Sequence, residues 1–164
     1  MAKYTILENG RIAVEGAKII FRNFAGKESR YNRAGDRNFS LVIDNPEFAQ
    51  DLSDIGWNVR TRPPRNEGDE PLITLPVSVS YKVERLAPKI WLHTKKSDAR
   101  LDEAGIDILD YSEFENIDLV LNPRHWLDDH TGEDRIKAYL IELHAVLVED
   151  YFADKYASEE YPTE

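Results

Sequence analysis

Cationic and aromatic side chains alternate along one stretch of the sequence, residues 18–37. Six cations and three rings lie there with only two acidic residues: Lys18, Arg22, Lys27, Arg30, Arg33 and Arg37, with Phe21, Phe24 and Tyr31. Lys and Arg neutralise phosphates, and an aromatic ring offers a surface on which an unpaired base can stack. The stretch therefore predicts a site for single-stranded nucleic acid. We assign Phe21 and Phe39 to the core, and Phe24 and Tyr31 to the site.

Two further clusters have a similar composition. A period of two in residues 88–95 places one set of side chains on a polar strand face: Lys89, Trp91, His93 and Lys95. Trp91 on such a face indicates a stacking platform, worth roughly 1–3 kcal/mol per base. The third cluster, Arg60, Arg62 and Arg65, lies where a strand opens into a proline-rich loop.

The three clusters together give a predicted set of DNA contacts. The predicted phosphate contacts are Arg22, Lys27, Arg30, Arg33, Arg37, Arg60, Arg62, Lys89 and Lys95. The residues predicted to stack on bases are Phe24, Tyr31 and Trp91.

The charge distribution agrees with a basic binding region in an acidic protein. The net charge is −10, but residues 1–100 carry 17 Lys and Arg against 13 Asp and Glu. Residues 101–164 carry 4 against 18, and the acidic residues continue to the last position. Such asymmetry is typical of a nucleic-acid-binding region followed by an acidic tail.

The sequence gives only weak support for catalysis or metal binding. Asp102, Glu103, Asp107 and Asp110 could hold a divalent ion, as in a nuclease, and His125 and the 128–130 turn resemble a metal set only in outline. There is no phosphate-binding glycine loop and no hydrolase or zinc-protease motif, and without cysteine there is no disulfide or cysteine-based zinc site. We expect no catalytic residues, metal or cofactor.

The elements that must position these residues are mostly strands. Strands are predicted at 12–24, with Gly16 at a bulge, and at 37–43, 57–62, 72–81, 88–94, 117–127 and 135–148. Residues 72–81 and 88–94 are expected to form a hairpin-like pair, with Pro76 marking an edge strand or a bulge, and Gly132 to lie at the tip of the last hairpin.

The only strong helix signal is at 46–55. Pro46 follows an Asn or Asp that can cap the helix, and Gly56 stops it. Between them, an apolar stripe is formed by Phe48, Leu52 and Ile55. Residues 25–36 are expected to form a flexible loop, 63–71 a second loop, and 101–115 short helical turns. The fold class is mainly β: an OB-fold-like antiparallel barrel with one short amphipathic helix and long loops.

One long stretch resembles single-stranded DNA-binding proteins of tailed bacteriophages. It begins with IFRNFAGKESRYNRAGDRNFSLV (20–42) and continues through GWNVRTRPPRNEGDEP (56–71), PVSVSYK (76–82), LNPRHW (121–126) and IKAYL (136–140). The resemblance implies an OB fold and sequence-independent binding of single-stranded DNA in phage replication or recombination. It also implies an acidic tail that contacts replication or recombination enzymes and competes with DNA. Many such tails end on an aromatic residue, whereas this one ends in Thr163-Glu164.

These observations give one leading expectation and two alternatives. We expect a non-enzymatic DNA-binding domain at 1–148 and an acidic tail at 149–164. Because the sequence has no membrane-length apolar run and no apolar signal region, we expect it in the cytoplasm, the host cytoplasm if it is phage-encoded. The alternatives are an acidic protein-interaction or DNA-mimic protein, and a metal-dependent nuclease.

Overall fold

The computed structural model describes residues 2–149, and within them the protein is mainly β. It contains one α-helix, α1 (Pro46–Ile55), and two short 3₁₀ helices, Glu84–Leu86 and Ile106–Asp110. The strands of the described part are β1 (Lys3–Ile6), β2 (Ile12–Glu15), β3 (Lys18–Asn23), β4 (Arg37–Val42), β5 (Arg60–Arg62), β6 (Leu72–Val79), β7 (Lys89–His93), β8 (Asp98–Leu101), β9 (Phe114–Leu127) and β10 (Asp134–Leu147). The predicted tail from residue 150 onward lies outside the described residues.

The long hairpin of β9 and β10 forms the centre of the sheet. The two strands pair antiparallel from Asp134↔Leu127 to Leu147↔Phe114, with an irregularity between Leu140 and Glu142 of β10. Gly132 has a φ of +71°, which suits the turn between them. The predicted hairpin is confirmed, and buried positions alternate along β9 from Ile117 to Leu121 and along much of β10.

The ten strands make one mixed sheet that does not close, an arrangement consistent with an OB-like fold. The main path runs β1-β2-β9-β10-β6-β4-β3, with β5 beside β6 and the pair β7-β8 beside β10. The expected pairing of 72–81 with 88–94 is wrong, because β6 and β7 do not pair with each other. Each instead lies parallel to β10, with Tyr139 opposite Ser78 and His144 opposite Trp91.

Pro76 lies in an internal strand, so its assignment to an edge strand is wrong. On one side β6 pairs with β4 from Thr74 to Val79. On the other side it pairs with β5 at Leu72–Thr74 and with β10 at Val77–Ser78. Pro76 falls in the gap between those two pairings, where a residue without an N–H is tolerated.

The helix begins and ends where its caps predict. The Asn45 side chain accepts a hydrogen bond from the Phe48 N–H, Pro46 occupies the first turn, and Gly56 ends the helix at a φ of +123°. Ala49 and Leu52 are buried, whereas Ile55 is 53% exposed and does not belong to the buried stripe. The Gly56 carbonyl accepts from the Ile136 N–H, which ties the end of α1 to β10.

The core lies under the inner face of the sheet and is closed by α1 and the second 3₁₀ helix. Its fully buried members include Phe39, Leu75, Leu121 and Leu140 from four strands, and Ile106 from the 3₁₀ helix. The long strand predicted at 12–24 is divided at Gly16, whose φ is +69°, into β2 and β3. Within the described residues, no helix is long and apolar enough to cross a bilayer.

Candidate nucleic-acid interface

Strand register defines an outer face opposite the core. One row crosses five strands at paired positions, β3, β4, β6, β10 and β9: Asn23, Asn38, Ser78, Tyr139 and Asn122. None of these five side chains is buried, whereas Phe39, Val77 and Ala138, one position away in their strands, are buried. The side of the sheet that carries this row is called the outer face below.

Phe21, Arg60 and Arg62 form an exposed cluster on this face, here called the Phe21 cluster. Arg60 and Arg62 pair with Thr74 and Leu72 of β6, which alternate in step with Ser78. The Arg62 guanidinium lies over the Phe21 ring, 5.3 Å from its centroid. Phe21 is 56% exposed, so its assignment to the core is wrong. The cation can pair with the phosphate of a nucleotide, and the ring can stack on its base.

A β-bulge explains the position of Phe21. The register of β3 and β4 shifts between Ile20 and Asn23, and Phe21 has a φ of +53°, in the left-handed region. A left-handed backbone is uncommon for a residue other than glycine, and it stores strain. Sequence alternation gives no sign of this bulge, which is why the exposure of Phe21 was missed.

Three asparagine side chains, from Asn23, Asn32 and Asn38, hold the loop 25–36 by hydrogen bonds. Asn32 Nδ2 donates to the carbonyls of Lys27, Arg33 and Asp36, at 2.8, 3.1 and 3.0 Å. Asn38 Nδ2 donates to Asn32 Oδ1 at 2.8 Å, and Asn23 Oδ1 accepts from the Lys27 N–H at 2.9 Å. The loop therefore presents its exposed side chains from a hydrogen-bonded frame.

Cations and rings are exposed on this loop, as predicted for Lys27, Arg30, Tyr31 and Arg33. Tyr31 is 89% exposed, and the Arg30 guanidinium lies 5.6 Å from its ring centroid. Lys27 Nζ donates to the hydroxyl of Tyr111 and lies over that ring, and this hydrogen bond raises the pKa of Lys27. Tyr111 is itself an exposed aromatic residue that the sequence did not single out.

The strand β7 presents Trp91 with the alternation expected. Ile90 and Leu92 are buried, Lys89 is exposed and Trp91 is half-buried. The Trp91 ring is nearly parallel to the His93 ring, with centroids 6.4 Å apart. His93 Nε2 and His144 Nδ1 are 2.9 Å apart, so the two imidazoles are joined edge to edge by a hydrogen bond. Lys89, Trp91 and His93 are called the Trp91 cluster below. Lys95 is exposed two residues beyond β7.

Two of the predicted contacts, Phe24 and Arg22, serve the fold in this structure, and a third, Arg37, is partly withdrawn from solvent. Phe24 is 0% exposed and stacks on Phe39 at 5.2 Å, so its assignment as a base-stacking residue is corrected. Arg22 Nη1 donates to the carbonyls of Leu109 and Ser112, at 2.8 and 2.7 Å, instead of facing solvent. Arg37 is half-buried, with Nη2 3.5 Å from the Glu103 carbonyl.

Two of the acidic residues considered for metal binding, Asp110 and Asp128, have structural partners. Asp110 accepts from the N–H groups of Phe24 and Ala25, at 2.7 and 3.0 Å. Hydrogen bonds from the His130 N–H and the Arg135 guanidinium hold the pKa of Asp128 below its usual range. Within residues 2–149 no group of three or more His, Asp and Glu side chains is arranged to hold a metal ion.

Solved structures define the class of the fold. A single-stranded DNA-binding protein of bacteriophage Enc34, in complex with single-stranded DNA, aligns with a TM-score of 0.57 at 9% identity, over 90% of this chain and 92% of that one. Another structure of the Enc34 protein gives a TM-score of 0.54 at 11% identity, over 93% of each chain. The likeness establishes a shared fold, the OB-like sheet described above.

The family follows from the sequence itself. A family model described as "Putative phage ssDNA-binding domain" matches residues 1–162. The chain therefore belongs to this phage family of single-stranded DNA-binding domains, and its function is the binding of single-stranded DNA. No curated protein matches the sequence.

Proposed function

We propose that this protein binds single-stranded DNA without regard to sequence, and that it protects the exposed strand during phage DNA replication or recombination. The observation that carries the proposal is the Phe21 cluster. Its ring is exposed at a strained backbone position, directly under a guanidinium, and contributes nothing to the core. Such strain, of order 1–3 kcal/mol, is characteristic of functional positions.

The proposed contacts are those that the outer face and the loop leave accessible. The proposed phosphate contacts are Lys27, Arg30, Arg33, Arg60, Arg62, Lys89 and Lys95. The proposed stacking residues are Phe21, Tyr31 and Trp91. Contacts to phosphates and to the flat faces of bases do not read base edges, which supports binding independent of sequence.

The proposal also covers the C-terminal tail and the cellular compartment of the protein. Residues 1–148 act as the DNA-binding domain, and residues 149–164 act as an acidic segment that competes with DNA and contacts replication or recombination proteins. The protein works in the cytoplasm of the bacterial host, where phage DNA is copied.

Titration of intrinsic tryptophan fluorescence with oligo-dT tests this function. We expect quenching by the single strand that weakens with salt, because DNA binding releases counterions, and little response to a matched duplex. Equal affinity for the duplex would contradict a site built on stacking. No binding at any salt would favour the acidic-interaction alternative.

The variant Trp91→Ala tests the second cluster within the same assay. Trp91 is half-buried on the surface of β7, so its loss is expected to weaken oligo-dT binding by roughly 1–3 kcal/mol without unfolding the protein. Fluorescence anisotropy of a labelled oligo-dT measures the affinity, and circular dichroism checks the fold. Unchanged affinity or a collapsed fold would remove Trp91 from the site.

Binding without cleavage is also part of the proposal. The four acidic residues at 102–110 are the only nuclease candidates that the sequence offered, and Asp110 is engaged in holding the start of the loop 25–36. Labelled single-stranded DNA incubated with the protein and Mg²⁺ or Mn²⁺ is expected to remain intact. Metal-dependent shortening of the strand would show that the protein is a nuclease.

A further inference from the structure

We propose that a cleft beside β10 is a second nucleotide site, which joins the Phe21 cluster to the Trp91 cluster in one path for the DNA strand. This inference rests on the proposed function and extends it to residues outside the predicted contacts. The cleft measures about 390 Å³ and lies between the β9–β10 hairpin and the segment that follows β6.

The topology of β10 creates this cleft. β10 pairs with β6 at Ala138–Tyr139 and with β7 at Glu142–Val146, and its register is irregular in between. The chain leaves β6 after Val79 and returns as β7 at Lys89, by way of the 3₁₀ helix Glu84–Leu86. The edge of β10 is therefore uncovered at Leu140–Ile141, where the cleft opens.

The cleft is lined on one side by an aromatic ring with cations beside it and on another by apolar side chains. Arg124 Nη1 donates to the Tyr139 hydroxyl at 3.3 Å. The Arg124 guanidinium and Lys137 Nζ each lie 5.3 Å from the centroid of the Tyr139 ring. Val83 and Leu86 also line the cleft, and both are exposed. Tyr and aliphatic side chains offer a flat, apolar contact to a base.

The charge of the cleft selects an anionic ligand. Arg85 and Arg124 line it together with His125, and among the described residues its lining includes no Asp or Glu. The described lining is free of acidic residues although the protein has 31 Asp and Glu and a net charge of −10. Guanidinium groups beside an apolar wall match a nucleotide, whose phosphate is anionic and whose base is flat.

The location of the cleft indicates whether its ligand is a free nucleotide or part of a DNA strand. Tyr139 belongs to the same outer-face row as Asn23 of β3, the strand that carries Phe21. Past the cleft, Glu142 and His144 of β10 pair with Lys89 and Trp91. A strand that contacts both clusters on this face therefore passes the cleft, so the ligand is a nucleotide within the bound strand rather than a free one.

The variant Arg85→Ala tests the cleft in the full chain. Affinity for fluorescein-labelled oligo-dT is measured by anisotropy over a range of salt concentrations. We expect weaker binding and a slope of log K against log[salt] that is less negative by about 0.7, the value for one lost phosphate contact on a single strand. Lys3→Ala is the matched control, since Lys3 is an exposed cation on β1 that forms an ion pair with Glu15. It is expected to leave the slope unchanged.

A second measurement gives a readout that does not depend on charge. Photo-crosslinking of oligonucleotides that contain bromodeoxyuridine is expected to label Tyr139, and Tyr139→Ala to remove that label. If the wild-type protein binds oligo-dT but Arg85→Ala behaves like Lys3→Ala and Tyr139 is not labelled, the cleft proposal is wrong while the proposed function stands. If the wild-type protein does not bind oligo-dT, both are wrong.

Discussion

At the scale of single residues, the exposure of Phe21 and the burial of Phe24 are the reverse of what strand alternation predicts. Alternation from Lys18 places Phe24 outward and Phe21 inward, but the bulge after Ile20 adds one residue to β3. A shift of one residue moves every following side chain to the other face. Phe21 is therefore exposed, Phe24 is buried, and Arg22 reaches the 3₁₀ helix.

The variant Phe21→Gly separates DNA binding from folding. Glycine adopts a φ of +53° without steric strain, so the free energy of unfolding is expected to stay level or to rise by up to about 1 kcal/mol. Oligo-dT affinity is expected to fall, because the stacking ring is lost. Thermal unfolding and anisotropy measure the two effects, and a variant that binds DNA as well as wild type would exclude Phe21 from the interface.

The same two positions mark where sequence reasoning reached its limit. The basic–aromatic composition of 18–37 is local information, and it located the region correctly. Which side chain of that region faces solvent depends on a backbone irregularity set by pairing with β4. Tyr111 was missed for a related reason, since only the fold brings it to Lys27, 84 residues away.

At the scale of elements, the hydrogen bonds of Arg22 connect β3 to the 3₁₀ helix Ile106–Asp110 and the residues after it. The Arg22 guanidinium also lies 5.6 Å from the centroid of the Phe114 ring. Arg22→Ala is expected to lower the free energy of unfolding by roughly 1–3 kcal/mol, since two carbonyls lose a charged donor. The salt dependence of DNA binding is expected to remain that of wild type.

Arg30→Ala is the counterpart of Arg22→Ala, because Arg30 is exposed on the loop 25–36 and has a contact only to the Tyr31 ring among those described. It is expected to reduce the salt slope and leave stability unchanged. Chemical denaturation and anisotropy on both variants distinguish the roles. If Arg22→Ala reduced the salt slope and left stability unchanged, Arg22 would be a phosphate contact after all.

The loop 25–36 depends on the close approach of two glycines. A Cβ on Gly26, whose φ is +67°, would lie 3.0 Å from the backbone of Gly35. Gly26→Ala is therefore expected to destabilise the protein by more than Gly35→Ala, by about 1 kcal/mol or more. Gly35 has a similar backbone, with a φ of +88°, but open space around it. Thermal unfolding of both variants tests this, and equal losses would show that Gly26 and Gly35 are not in tight contact.

Elements defined by local signals were predicted best. The bounds of α1 follow from Asn45, Pro46 and Gly56, all within the helix or next to it. The partners of β10 could not be predicted, because parallel pairing with β6 and β7 joins segments about 50 or more residues apart. β8 was missed because it is only four residues long and, among the described strands, pairs with β7 alone.

At the scale of the whole molecule, the acidic residues are concentrated in the last third of the sequence, where residues 101–164 hold 18 of the 31 Asp and Glu. Residues 150–164 contain five acidic residues and one lysine. A chain that ends at Glu149 is expected to bind oligo-dT more tightly than the full chain at low salt. The difference is expected to shrink near 0.1 M salt and above, where the screening length is about 10 Å or less.

A full-length variant with Asn and Gln in place of those five acidic residues controls for tail length. It is expected to match the shortened chain if charge alone causes the competition. Anisotropy titrations over a salt series compare the three proteins. Identical affinities at every salt concentration would show that the tail does not compete with DNA.

The dependence of the sheet on β10 has a consequence for synthesis of the protein. β10 is the last strand of the described residues, and it pairs with β6, β7 and β9. A nascent chain on the ribosome can form the β3–β4–β6 portion early, but it cannot join that portion to β7 until residues 134–147 have emerged. The Phe21 cluster and the Trp91 cluster are therefore united only in the finished polypeptide, so an incomplete chain cannot engage a strand across both.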